Sequence, residues 1–170
     1  IKDVCKKFGA KCLITSSEHK SGTDRVNEVA VVENWSDEMI IVNLQGDNAL
    51  MPSGNIDQVA KLLFDNPSYS IATLATNFLS KDEEEDENAV KVFFDKKTDE
   101  AITFKRHLKT YDNKLINYMK HIGIYAYTRS SLRTFSDSEP SSEEEEEKLE
   151  QLRAYNLKLR IIVEKASITP

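Results

Sequence analysis

The sequence has few cysteines, no long apolar run and no excess of positive charge, and each shortage excludes a class of protein. Cys5 and Cys12 are its two cysteines. They lack metal-ligand spacing, so they read as reduced, structural thiols of a cytoplasmic chain. No apolar stretch approaches the roughly 18 residues of a membrane span, which argues against membrane insertion. Ile1, Lys2 and Asp3 open a polar helix rather than a cleavable leader. A chain that starts on Ile is also what a piece of a longer protein would look like. With 23 basic and 29 acidic residues the net charge is −6, which argues against nucleic acid and anionic membranes as partners. The acidic run 82–87 has no turn-forming glycine and so lacks the calcium-loop pattern; it reads as a solvated loop or loose helix.

What is present is a globular composition, 39% hydrophobic and 31% charged, on a length that suits one domain over residues 1–170. The organising stretch is 39–52. An apolar run from Met39 to Leu44 breaks at Gln45, Gly46 and Asp47. Such a run closed by Gly and Asp predicts a buried, parallel strand. In open α/β sheets ligands sit beyond the carboxyl ends of these strands. Asp47 is therefore placed to hold a metal-phosphate complex, and a carboxylate suits Mg2+. An ordinary strand-to-loop turn would use the same three residues.

The flanking pattern predicts alternating helices and strands. Residues 2–9 predict a helix stopped by Gly9, with Val4, Cys5 and Phe8 on one face, and 12–15 a short strand. Thr23 is placed to cap a helix carrying Val26, Val29 and Ala30, whose N-terminal donors suit an anion or polar ligand. A helix is expected over 54–65, a strand over 70–76, and a hairpin from 90–95 and 101–104. Further on come a strand over 120–127 and a short helix over 129–135. Ser142 and Glu145 predict a capping box for a helix running to about Tyr155, with Leu149 and Leu152 inward. A last strand is read over 158–163.

Five stretches in order carry a resemblance: 21–25 (Ser-Gly-Thr-Asp-Arg), 41–47 (Ile-Val-Asn-Leu-Gln-Gly-Asp) followed by Pro52, 88–92 (Asn-Ala-Val-Lys-Val), 121–127 (His-Ile-Gly-Ile-Tyr-Ala-Tyr) and 148–153 (Lys-Leu-Glu-Gln-Leu-Arg). Together they resemble the sugar-acid cytidylyltransferases, in particular the CMP-Kdo synthetase family (Kdo is 3-deoxy-manno-octulosonate). The resemblance implies an α/β fold with a mixed, mostly parallel sheet and flanking helices, of the nucleotide-diphospho-sugar transferase type. It implies CTP and Kdo as substrates, Mg2+ as cofactor and a homodimer. Site roles follow from it residue by residue. Asp47 is the metal ligand. Ser21, Gly22, Thr23, Arg25 and Gln45 face the nucleotide. Gln45, Arg106, His121, Tyr125, Glu150 and Gln151 face the sugar acid, with Arg106 gripping its carboxylate through paired N–H donors. Asp47 and Arg106 are the catalytic pair.

The match has departures. Asn48 and Ala49 stand where the family has Glu-Pro after its Gly-Asp. The stretch 105–113 keeps Arg106 but not the family's Pro or its final Arg. The family's N-terminal triphosphate loop and its C-terminal Val-Asp-Thr segment are not in this sequence, so a fragment or a reduced relative is expected, with little turnover of its own. The implied reaction joins CTP to Kdo for lipopolysaccharide synthesis. Two other readings stay open: a related sugar acid as substrate (8-amino-Kdo or a sialic-like acid), and a non-catalytic binding or dimerisation remnant of the fold.

Overall fold

The computed structural model describes residues 1–19, 21–46, 48–107 and 115–170. It opens with helices α1 (Lys2–Lys7) and α2 (Gly22–Val32), then strand β1 (Ile40–Leu44) and helix α3 (Ser53–Asp65). Strand β2 (Ile71–Thr76), short helix α4 (Lys81–Glu85) and the hairpin β3 (Lys91–Asp95) and β4 (Ala101–Lys105) follow. The long strand β5 (Ile116–Thr128) leads into α5 (Arg129–Ser136), α6 (Ser142–Glu147), a 3-10 turn (Glu150–Leu152), α7 (Arg153–Asn156) and β6 (Ile161–Lys165).

β5 is the axis of the sheet. β2 lies along one of its edges, antiparallel, over Lys120 to Tyr127. The other edge is shared. β3 pairs with its first half, Ile116 to Lys120, and β1 with its second half, Ile124 to Thr128, both antiparallel. β6 is parallel to β2 and β4 antiparallel to β3. Four described strands (β1, β2, β3 and β6) therefore share one direction, the mostly parallel sense expected from the resemblance. The hydrogen-bonded pairs are nonetheless mainly antiparallel, because β5 runs the other way between them. The expectation of a buried parallel strand at 39–44 needs correcting on this ground. Among the described strands β1 pairs with β5 alone, and its burial alternates, with Ile41 and Asn43 in and Leu44 out.

The period-two pattern of β2 decides the layers. Ile71 and Ala75 point to the face covered by Ala30 of α2 and by Leu132 and Phe135 of α5. Ala72 and Leu74 point to the face covered by Val59 and Leu63 of α3. Both faces of β2 are buried along its whole length, so a helix layer lies on each side.

Several local expectations fail for physical reasons. Residues 12–15 form no strand; no described strand lies beside them to complete a ladder. α1 stops at Gly9 in the left-handed region as expected, yet Val4 and Phe8 are exposed and the helix buries nothing. The expected helix from Ser142 to Tyr155 is broken. Lys148 turns left-handed (φ 54°), ending α6 and starting the separate 3-10 turn. Its capping box is Ser141 with Glu144, one residue earlier than expected. Likewise α2 is capped by Ser21, in a box with Asp24, rather than by Thr23.

Candidate functional site

Where β1 and β3 part company on the edge of β5, they leave a gap at residues 121–123. There the backbone is held to the β3 side by His121 N–H donating to the Val90 carbonyl at 2.8 Å. The carboxyl end of β1 and the approach to β3 splay around this gap. The start of α2 and the segment 140–151 close over it, enclosing a cleft of about 670 Å³.

Eight of the residues selected from sequence line this one cleft: Ser21, Gly22, Gln45, Arg106, His121, Tyr125, Glu150 and Gln151. Three behave otherwise. Asp47, the expected metal ligand, lies outside the described residues, as do Tyr111, Asp112 and Asn113 of the expected substrate stretch. Thr23 is fully buried behind the wall, where it donates to Glu150 Oε1 at 2.9 Å and accepts from Asn43 Nδ2 at 3.2 Å. Its place is therefore behind a cleft residue rather than against a nucleotide. Arg25 is exposed and turned away; its Nη1 donates to Thr15 Oγ1 (2.9 Å) and to the Ser16 carbonyl (2.7 Å).

Several polar groups of the wall are fixed by their neighbours. Glu150 takes the Thr23 hydroxyl and the Gln45 side-chain amide (3.3 Å) on the same oxygen. Burial raises its carboxyl pKa, and the Thr23 bond and the nearby Arg153 pull against that rise. His121 packs edge-on against Phe104, with ring centroids 5.0 Å apart, and against Tyr125 at 5.3 Å. This enclosure lowers its pKa to about 3, so the imidazole is neutral at physiological pH. Burial likewise raises the Tyr125 pKa and keeps the phenol protonated. Arg106 spends three N–H groups on carbonyls: Nε on Glu147 (2.9 Å), Nη1 on Glu87 (3.2 Å) and Nη2 on Lys148 (3.3 Å). A guanidinium has five, so two remain for an incoming carboxylate. Gly123 permits close approach: a Cβ there would sit 3.4 Å from Asn48 Nδ2.

The loop bearing Glu150 and Gln151 is anchored by an ion pair. Arg153 is buried and grips Glu144 with two bonds, Nε to Oε2 at 2.7 Å and Nη2 to Oε1 at 2.5 Å, and stacks its guanidinium 4.7 Å from the Phe135 ring centroid. Lys91 is buried too, donating to the Asp86 (2.7 Å) and Arg106 (2.8 Å) carbonyls and so tying the start of β3 to the strand end that carries Arg106. Sequence reasoning assigned none of these supports. Arg153 and Lys91 were visible within the resembling stretches, but only a structure shows which carbonyl or carboxylate each one reaches.

Among the described residues no group of three or more His, Cys, Asp or Glu could enclose a metal ion. No helix among them is long and apolar enough to cross a membrane.

The architecture is that of a nucleotide-sugar transferase, and a family profile described as cytidylyltransferase matches residues 1–161. Similar proteins narrow this class. The chain is 40% identical to a 3-deoxy-manno-octulosonate cytidylyltransferase of Syntrophus aciditrophicus, over 95% of this chain and 66% of that one. It is 36% identical to the protein of the same name from Acinetobacter baumannii, over 100% of this chain and 71% of that one. A solved structure of CMP:2-keto-3-deoxy-manno-octonic acid synthetase complexed with CTP superposes with a TM-score of 0.84 at 33% identity, covering 97% of this chain and 67% of that one. The chain belongs to the cytidylyltransferase family, in its CMP-Kdo synthetase branch. It spans about two thirds of the length of these relatives.

Proposed function

We propose that this chain forms the sugar-acid wall and part of the nucleotide wall of an enzyme that joins CTP to Kdo, giving CMP-Kdo and pyrophosphate. The observation that carries the reading is the convergence of residues 21–22, 45, 106, 121, 125 and 150–151 on one cleft, from five separate stretches of chain. The relatives' shared name and the CTP-bound neighbour support the same chemistry. In the reaction the anomeric hydroxyl oxygen of the sugar acid bonds to the α-phosphorus, the bond from that phosphorus to the pyrophosphate oxygen breaks, and the hydroxyl proton leaves to solvent or a base.

This chain's part in the step is positioning. Arg106 offers its two remaining N–H groups to the acid's carboxylate. Glu150, Gln151, His121 and Tyr125 receive its hydroxyls. The N-terminus of α2, with Ser21 and Gly22 at the cleft, meets the polar groups of the nucleotide. Asp47 would hold Mg2+, a cation that commonly takes one or two carboxylates together with substrate phosphates. Bound there, Mg2+ would offset the charge that develops on the phosphates. Among the described residues the cleft is lined by three cations: Arg106, which is largely committed, Lys120, which is paired with Glu83, and the exposed Lys148. Turnover by this chain alone is accordingly expected to be low.

The test is calorimetry of this chain with Kdo, followed by pyrophosphate release on adding CTP and Mg2+. Kdo is expected to bind, and Glu150→Gln with Gln151→Leu to abolish the heat. Absence of Kdo binding overturns the reading, and tighter binding of 8-amino-Kdo or a sialic acid would reassign the substrate. The same reading carries a homodimer of the cytoplasm serving lipopolysaccharide synthesis; light scattering of the chain checks its association.

A further inference from the structure

β2 and β5 are out of regular register where they pass the cleft. Thr73 pairs with Tyr125 but Leu74 pairs with Ile122, so Gly123 and Ile124 are skipped. A strand that skips residues leaves ladder groups without their usual partners. Here the side chain of Thr73 fills in. Its Oγ1 lies 2.8 Å from the Ile124 carbonyl oxygen and 3.4 Å from that of Ile122. Thr73 is 0% exposed, so water does not compete.

A hydroxyl carries one proton and two lone pairs, and a carbonyl can only accept. The Thr73 proton is therefore committed to the β5 carbonyls. A further neighbour of Oγ1 is His121 Nε2, at 2.9 Å. With its proton already given, Thr73 can only accept there, so Nε2 carries the hydrogen. A neutral imidazole has one N–H, which leaves Nδ1 a bare lone pair. Nδ1 has no hydrogen bond to any described residue, and the His121 ring lines the cleft.

We propose that Thr73 is a positioning residue that fixes His121 as its Nε2–H tautomer, making Nδ1 an obligate acceptor for a hydroxyl of the bound ligand. The low proton affinity of the enclosed imidazole agrees with this, since a protonated ring would donate from both nitrogens. An acceptor here disfavours a carboxylate, so the acid end of a sugar acid is directed to Arg106 in the same cleft. The other charged groups lining the cleft are Arg106, Lys120, Glu144, Glu145, Lys148 and Glu150, and none of them is hydrogen-bonded to the ring. That the donor is a sugar hydroxyl rests on the proposed function; the tautomer does not.

The test is nitrogen-15 NMR of the histidine side chains in the ligand-free chain, with His121 assigned by loss of its signals in His121→Gln. The expected spectrum from pH 5 to 8 has a protonated, pyrrole-type Nε2 and a bare, pyridine-type Nδ1. Thr73→Ser keeps that pattern. Thr73→Val, which removes the hydroxyl at similar shape, shifts the population towards Nδ1–H and weakens Kdo binding by roughly tenfold. An Nδ1–H tautomer or an imidazolium in the unaltered chain overturns the proposal, and so does an unchanged tautomer in Thr73→Val. If Thr73→Val does not fold, the spectra of the unaltered chain and Thr73→Ser decide. Failure of the unaltered chain to bind Kdo with the tautomer as stated would refute the proposed function and leave the positioning role intact.

Discussion

The two walls of the cleft are held by different kinds of contact. On the side proposed for the sugar acid the supports are buried and come from far along the chain: Thr23 reaches Glu150 across 127 residues, and Thr73 reaches His121 across 48. At the start of α2, proposed to meet the nucleotide, they are local. Ser21 and Asp24 cap their own helix, and Arg25 bonds the adjacent loop. Side chains locked by packing and buried hydrogen bonds hold a binding geometry before the ligand arrives, whereas locally capped, exposed ones do not. The wall proposed to take the sugar acid is thus preorganised in the free chain, whereas the start of α2, proposed to meet the nucleotide, is held only by local contacts.

The hardest way to break this contrast is at the Arg153–Glu144 pair, which holds the 150–151 segment in place. Arg153→Ala leaves Glu144 buried without its cation, a loss of about 3–5 kcal/mol. Urea unfolding should show that loss, with a smaller incremental cost when Glu144→Ala is added. A full additive cost would mean that the two residues do not support each other.

Next comes Thr23→Val. It keeps the shape but removes the donor to Glu150 and the acceptor for Asn43, for about 1.5–3 kcal/mol. The pH dependence sharpens this test. Glu150 has its folded pKa raised, so the native state holds the proton better and stability falls as pH rises from the unfolded pKa through the folded one. Removing the Thr23 bond, which lowers that pKa, should steepen the fall. An unchanged profile would place Thr23 outside the electrostatics of Glu150.

His121 has the opposite sign. Its folded pKa of about 3 lies below the unfolded value near 6.5. Between those limits the unfolded chain binds the extra proton, so stability decreases as pH drops through 6.5 towards 3, by up to about 1.4 kcal/mol per unit from this residue. Denaturant titrations from pH 4 to 7 should show a shallower acid loss in His121→Gln than in the unaltered chain. Equal slopes would show that the ring is protonated in the folded state.

How far sequence carried the reading follows the same contrast. Helix α3, the two-sided strand β2 and the hairpin of β3 and β4 were legible because their hydrophobic period is local and their ends carry turn residues. The cleft lining was legible through the resemblance, which names surface-facing residues in order along the chain. The buried supports were not, since nothing in the spacing of a Thr at 73 or an Arg at 153 says which distant atom it will meet. The Ser-Ser-Glu run at 141–147 offered two equivalent capping registers, and a left-handed Lys148 gave no signal, because left-handed turns usually announce themselves as Gly or Asn. The antiparallel pairing of β1 escaped because an apolar run does not disclose the direction of its neighbour.

The smallest effect is expected at Arg25, and it tests the other half of the contrast. Sequence placed Arg25 at the nucleotide; in the folded chain its guanidinium lies on Thr15 and Ser16, beside Glu28, which accepts from the Ser16 N–H and is paired with His19. These contacts lie at the solvent-facing surface, so their loss is screened by water and worth little. Arg25→Ala should change unfolding stability by no more than about 0.5 kcal/mol. Kdo affinity should move by less than about a factor of two, since the Arg25 guanidinium bonds Thr15 and Ser16 and not Glu150, Gln151 or His121. CTP affinity is the informative measurement. If the guanidinium swings from its loop to the phosphates when nucleotide binds, CTP affinity falls while Kdo affinity holds, and the nucleotide wall is one that the ligand assembles. A matching loss of Kdo affinity would show that the two walls are coupled and that the division between them is wrong.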